Sequence, residues 1–194
     1  MAKTPSQMLP LGTHAAAFSL PDPDGKIHSL DDAAGSNGYL VMFICNHCPF
    51  VKHVADELAR LGKYCQDRGV AAFAINSNDV EMQPADSPEM MRQESAKRGY
   101  TFPYLFDAEQ DVAKAYQAAC TPDFYLFDAG RQLVYRGQLD ASRPGNDRPV
   151  DGADLRCAID AVLAGNAVND HQEPSIGCNI KWRPGNDPNE ALDL

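Results

Sequence analysis

Residues 39–75 carry an apolar run, a Cys-x-x-Cys pair, an amphipathic stretch and a second apolar run, in that order. Tyr39 to Ile44 is continuously apolar behind Gly38, the pattern of a central strand covered on both faces. Val51, Val54, Leu58 and Leu61 recur at helical spacing, and the helix they predict ends near Gly62 or Gly69. Val70 to Ile75 reads as a second buried strand. Strand, helix and strand in succession make a βαβ unit and imply a parallel pair. Cys45-Asn46-His47-Cys48 therefore falls between a buried strand end and a helix start.

The flanking segments extend the same class. Ala17–Leu20 and Lys26–Leu30 are strand-like pieces around the turn Pro21-Asp22-Pro23-Asp24-Gly25, which predicts an N-terminal hairpin. After a polar loop from Asn76 to Ser87, Pro88 opens a helix to about Arg98 with Ser87 as its cap. Tyr104–Phe106 is a short strand and Glu109–Gln117 a short helix. Asp123–Asp128 and Leu133–Leu139 form a hairpin around Ala129-Gly130, and Asp154–Leu163 is a final helix. From Gly165 onward the composition is that of a disordered chain. Yet Ile176, Cys178, Ile180 and Trp182 alternate, which predicts an extended piece packed on the body.

Lys+Arg number 17 against Asp+Glu 27, a net charge of −10, which disfavours nucleic acid and anionic membrane as partners. No apolar run reaches membrane-spanning length and the first residues lack the apolar core of a secretory signal, so the expected location is cytoplasmic. Thiols stay reduced there, so the six cysteines are not read as a disulfide framework.

Cysteines at this spacing beside a βαβ unit point to a redox pair. Residues i and i+3 share a helix face, which brings the sulfurs within bonding reach. Unpaired N–H groups at a helix start favour thiolate over thiol, lowering a pKa of about 8.5 to roughly 3.5–7.5. Asn46 is expected as the N-cap, with Pro49 in the first turn. On this reading Cys45 is the more exposed, attacking sulfur, Cys48 faces inward and resolves, and the His47 imidazolium holds the Cys45 thiolate. Two blander readings are inert packed thiols and half of a zinc site; no second Cys-x-x-Cys or paired His motif completes the latter.

The stretches LGTHAAAFSLPDPDGKIHSL, FICNHCPFVKH, ACTPDFYLFDAGRQLVYRGQLDASRPGND and SIGCNIKWRPGN resemble the thioredoxin-fold superfamily, and within it the peroxiredoxin-like branch of the redoxin/AhpC–TSA family. The resemblance runs through nearly the whole chain. It implies that Thr121-Pro122 is a cis-proline loop facing the dithiol, with the Thr121 backbone open to a bound substrate peptide. Departures are visible too. Tyr39 stands where thioredoxins carry a buried acid, and Ile44 where they carry Trp. If Cys48 were peroxidatic, the family's Thr and Pro positions would hold Cys45 and Val41, so the peroxide-pocket signature is absent; Arg136 or Arg143 is the candidate for its arginine.

Cys120 reads either as a third redox sulfur or as a packed thiol at a strand entrance. Cys178 is a resolving cysteine if the tail crosses the site, and otherwise packs with Trp182. Cys65 and Cys157 are expected as inert core residues, Lys52 and His53 as exposed helix-face residues, and Asp151–Asp154 as a helix-start cluster. The expected architecture is an α/β thioredoxin-like fold: a central mixed β-sheet flanked by helices, an N-terminal β-hairpin and an extended C-terminal tail. Residues 1–168 form the domain and 169–194 the tail packed on it. The expected activity is thiol–disulfide exchange by Cys45 and Cys48, with His47, Thr121 and Pro122 shaping the site and no bound cofactor or metal. The partners are a protein or small-molecule disulfide or thiol substrate and a dithiol electron donor. The alternatives are a thiol-dependent peroxidase of the peroxiredoxin-like antioxidant kind and a non-catalytic redox sensor.

Overall fold

The computed structural model describes residues 3–188, so the ends of both expected segments, residues 1–2 and 189–194, lie outside the described residues. In chain order the elements are β1 Lys3–Pro5, β2 Ser19–Pro21, β3 Ile27–Ser29, β4 Gly38–Phe43, α1 Pro49–Gln66, β5 Val70–Asn76, α2 Pro88–Arg98, β6 Tyr104–Phe106, α3 Asp111–Ala115, β7 Cys120–Thr121, β8 Asp123–Asp128, β9 Leu133–Gly137, α4 Ala153–Leu163 and β10 Ile176–Asn179.

The main sheet has the order β6-β5-β4-β8-β9. β4 pairs parallel with β5, and β5 with β6, while β8 runs antiparallel to both β4 and β9. The sheet is thus mixed, as the βαβ pattern and the second hairpin require. Every residue of β4 is buried. Leu40, Met42 and Ile44 enter one core with Val54, Leu58 and Leu61 of α1 and with Leu155 and Ile159 of α4. Tyr39, Val41 and Phe43 enter the opposite core with Phe73, Ile75, Tyr116 and Phe127. Burying each large apolar side chain contributes about 1.5–3 kcal/mol, so β4 is firmly fixed and the loop leaving it inherits that rigidity. This is a thioredoxin-like fold.

α1 begins at Pro49, with Cys48 rather than Asn46 as its N-cap. The cause is local. A residue before proline is pushed out of the helical region, and Cys48 is extended at φ −66°, ψ 124°. At its other end α1 runs through Gly62, which packs so closely on Phe102 that a Cβ there would lie 2.7 Å from the ring. The chain turns only at Gly69, φ +69°. Cys65 is buried in α1 as expected, whereas Cys157 on α4 is exposed, because the core face of α4 is carried by Leu155, Ala158 and Ile159.

β2 and β3 form the N-terminal hairpin, with Asp22 and Gly25 in its turn. The tail is ordered by pairing. β10 lies antiparallel between β1 and β7 in a small separate sheet. Cys178 joins the core beneath α1, while Ile180 and Trp182, past the end of the strand at Asn179, join the other.

Candidate functional site

Three loops meet at the end of β4. Residues 45–48 join β4 to α1, the cis peptide Thr121–Pro122 joins β7 to β8, and a turn ending at Asp86 precedes α2. β10 closes the fourth side by pairing Cys178 with Thr121. The Cys45 Sγ lies 3.1 Å from the Thr121 hydroxyl. The Cys48 Sγ lies 3.2 Å from the Thr121 carbonyl oxygen and 2.7 Å from the Cys178 Sγ. Relative exposures are 1% for Cys45, 0% for Cys48 and 1% for Cys178, so all three sulfurs are shut off from solvent. The expectation of an exposed Cys45 is corrected here: the turn through Asn46 and His47 folds back onto Asp86 and carries Cys45 inside.

That fold-back is a carboxylate clamp. Asp86 Oδ1 accepts from the backbone N–H of Asn46 at 2.8 Å and of His47 at 3.1 Å. Its Oδ2 accepts from Asn78 Nδ2 at 2.8 Å and lies 2.5 Å from His47 Nδ1. Asn46 Nδ2 donates to the Ala85 carbonyl, and Tyr104 donates to Asn46 Oδ1. Burial pushes the Asp86 carboxyl up, but the bonds from His47, Asn78 and Asn46 outweigh it and hold the group below its usual range. Asp86 is therefore a buried anion.

The three sulfurs are inequivalent as a result. Burial, the hydrogen bond to Cys48 and the Asp86 charge all push the Cys45 thiol well up. Cys48 goes the other way. The Cys45 thiol donates to its sulfur, and against the cost of burial the Cys178 thiol and the N–H groups of Val51 and Cys178 add further support, taking it down to about 5. The Thr121 carbonyl opposes this, since it prefers a protonated Cys48. It is one acceptor against four donors, and the thiolate wins. Burial and its bond to Cys48 push Cys178 up to about 12. The surroundings thus favour negative charge on Cys48, at the N-cap where the helix N–H groups converge, over Cys45. His47 does not hold a Cys45 thiolate, because its Nδ1 is spent on Asp86 and the anion it anchors disfavours one.

The other candidates make no hydrogen bond to the three sulfurs. Burial and the nearby Asp123 push Cys120 well up, and its Sγ donates to the Pro122 carbonyl at 3.7 Å. Arg143 bonds Gln138 and two carbonyls of its own loop. Arg136 lies by Tyr125 and Asp123. Lys52 is exposed and His53 half-buried. Ligand atoms of Cys45, His47 and Asp86 lie within 4.8 Å of one another, the one such group among the described residues. Both Asp86 oxygens already accept two hydrogen bonds each, which uses the lone pairs a metal would need. Asp86 and Asn78 carried no motif in the sequence. Gly177 did carry a signal, since glycine inside an alternating strand marks close backbone approach: a Cβ there would lie 1.9 Å from the Thr121 carbonyl oxygen.

The family model described as "AhpC/TSA family" matches residues 11–136, well over half of the chain. The chain belongs to the AhpC/TSA family. The match ends within β9, so α4 and β10 lie beyond the AhpC/TSA segment. The crystal structure of an uncharacterized conserved protein from Geobacillus kaustophilus is 53% identical, with a TM-score of 0.93 over 95% of this chain and 98% of that one. A hypothetical protein from Sinorhizobium meliloti 1021 is 52% identical, with a TM-score of 0.92 over 94% of this chain and 100% of that one. A thiol:disulfide interchange protein of the thioredoxin family from Chlorobium tepidum TLS shares the fold at 18% identity, with a TM-score of 0.61 over 78% of this chain and 97% of that one. Among curated proteins, thiol-disulfide oxidoreductase ResA from Geobacillus thermodenitrificans (strain NG80-2) is 28% identical over 119 residues, 61% of this chain. The chain spans 63% of the length of that relative.

Proposed function

We propose that the protein is a thiol–disulfide oxidoreductase that works through Cys45 and Cys48. The observation carrying this is the Cys45 and Cys48 sulfurs gathered at the start of α1 against the cis Thr121–Pro122 loop, 3.1 Å from the Thr121 hydroxyl and 3.2 Å from its carbonyl oxygen. The ResA relative, named as a thiol-disulfide oxidoreductase, supports the same chemistry. Cys48 is the attacking sulfur. Its thiolate displaces one sulfur of a substrate disulfide as a thiolate and forms a mixed disulfide with the other. Cys45 then loses its proton and attacks the Cys48 sulfur, closing the Cys45–Cys48 disulfide and expelling the second substrate thiolate. Two electrons pass to the substrate, and a dithiol donor restores them. No bound cofactor takes part, and the setting is a reducing cytoplasm.

The thiol-dependent peroxidase reading has less support, since Arg143 is committed to its own loop and the Thr and Pro positions hold Cys45 and Val41. The test is mixed-disulfide trapping with the full chain and a small aromatic disulfide. Cys45→Ser, which attacks but does not resolve, accumulates the adduct on Cys48. Adducts on Cys45 in Cys48→Ser, with none in Cys45→Ser, reverse the roles. Absence of adducts in both variants refutes the exchange reading.

A further inference from the structure

β10 holds the place that the resemblance reserves for a substrate. It pairs antiparallel with β7, placing Cys178 opposite Thr121, the residue before the cis proline. The approach is as close as two backbones allow, because only a residue without a Cβ fits at position 177. Ser175 Oγ donates to the Pro122 carbonyl at 2.6 Å, and Ile180 N–H donates to the Ala119 carbonyl at 3.1 Å, so the strand is held on both sides of Cys178. Main-chain pairing along an edge with one side chain aimed into the site is how an extended peptide is recognised. Here the side chain is a thiol, and its sulfur lies 2.7 Å from the Cys48 sulfur. A disulfide needs about 2.05 Å, so a side-chain adjustment of under an ångström connects them.

We propose that β10 is an internal substrate and that Cys178 is a third sulfur of the redox site, exchanging with the Cys45–Cys48 disulfide. The inference rests on the thiol–disulfide reading above. Starting from the Cys45–Cys48 disulfide, Cys178 loses its proton and attacks the Cys48 sulfur. The Cys45–Cys48 bond breaks, the Cys48–Cys178 bond forms, and Cys45 leaves as a thiolate that takes up the proton. No electrons are gained or lost, so no further oxidant is needed. The new disulfide fastens β10 across the Thr121 edge and closes it to outside substrates. A dithiol donor that attacks Cys178 reopens it.

The test uses the full chain oxidised with diamide, which removes two electrons and two protons from a thiol pair, then quenched in acid, alkylated and mapped as non-reduced peptides. In Cys45→Ser, and in Cys45→Ala should the first variant not fold, the expected product is a peptide pair linked through Cys48 and Cys178. In the unsubstituted chain both Cys45–Cys48 and Cys48–Cys178 links appear, and Cys178→Ser retains only the first. A Cys45–Cys48 link in the unsubstituted chain and in Cys178→Ser, with no Cys48–Cys178 link in any sample, overturns the role of Cys178 and leaves thiol–disulfide exchange standing. No link through Cys48 in any sample overturns both.

Discussion

Gly177→Ala isolates what β10 does to the site. The added Cβ would sit 1.9 Å from the Thr121 carbonyl oxygen and 2.5 Å from its carbon, against a practical limit of 3.0 Å. Both obstructing atoms are backbone, so no side-chain rotation relieves the clash, and β10 must retreat from β7 by about 1 Å. Bonds such as Ser175 Oγ to the Pro122 carbonyl at 2.6 Å and Ile180 N–H to the Ala119 carbonyl at 3.1 Å then stretch towards breaking. Losing about three hydrogen bonds near 1 kcal/mol each makes local opening of the strand cheaper by roughly 3 kcal/mol. Labelling through an open state follows that opening free energy, and 1.4 kcal/mol is about tenfold, so the gain is on the order of a hundredfold. The assay is iodoacetamide labelling of the reduced protein at pH 8.5, with Cys48 followed by peptide mass spectrometry. The high pH matters, since retreat also removes the Cys178 donors and raises the Cys48 pKa. A Cys48 labelling rate within twofold of the parent, with an unchanged urea midpoint, would refute the claim that β10 covers this sulfur.

Three further substitutions probe the buried charges. Asp123 is fully buried, and burial drives it up to about 7 despite bonds from Tyr125, Ser6 and the Phe124 N–H. A carboxyl raised above its unfolded value near 4 contributes full stability below that value and loses it as pH rises through 7, a loss of roughly 4 kcal/mol over three pH units. Asp123→Asn is therefore expected to gain urea resistance over the parent at pH 8 and not at pH 4; parallel pH profiles would count against it. Asp86 is the opposite case, held low, so its contribution is present above about pH 4 and fades as acid protonates it. Asp86→Asn turns one acceptor towards a donor, at a cost of about 3 kcal/mol at neutral pH, and removes the charge beside Cys45. Its Cys45 labelling profile should move to lower pH, and no movement would free Asp86 of that role. In Cys45→Ala the Cys48 sulfur loses its first donor, so Cys48 labelling should shift to higher pH, measured by the same peptide assay.

Continuous apolar runs and a 3.6-residue period made β4, α1 and β5 readable before any coordinates, because both patterns follow from burial of local sequence. The start of α1 was misplaced at Asn46, although the rule for a residue preceding proline selects Cys48 as the N-cap. What the sequence could not reveal is which sulfur ionises. That depends on Asp86, 38 or more positions away from the cysteines, and on Cys178, 130 positions from Cys48. The alternation of Ile176, Cys178 and Ile180 disclosed a strand in a tail of disordered composition, but not its partner; pairing with β7 sends Cys178 to Cys48 rather than to Trp182. Cys157 misleads for a simpler reason: it adjoins apolar neighbours in sequence yet lies off the face that α4 buries.

Cys48 is the sulfur through which every exchange passes in this account. The direct measurement is a redox titration of the unsubstituted chain in dithiol–disulfide buffers, with rapid alkylation and peptide mapping at each potential. A single two-electron transition is predicted, in which Cys48 is part of every disulfide formed, shared with Cys45 or with Cys178. Cys48 remaining an alkylatable thiol at potentials where other cysteines have paired would contradict it.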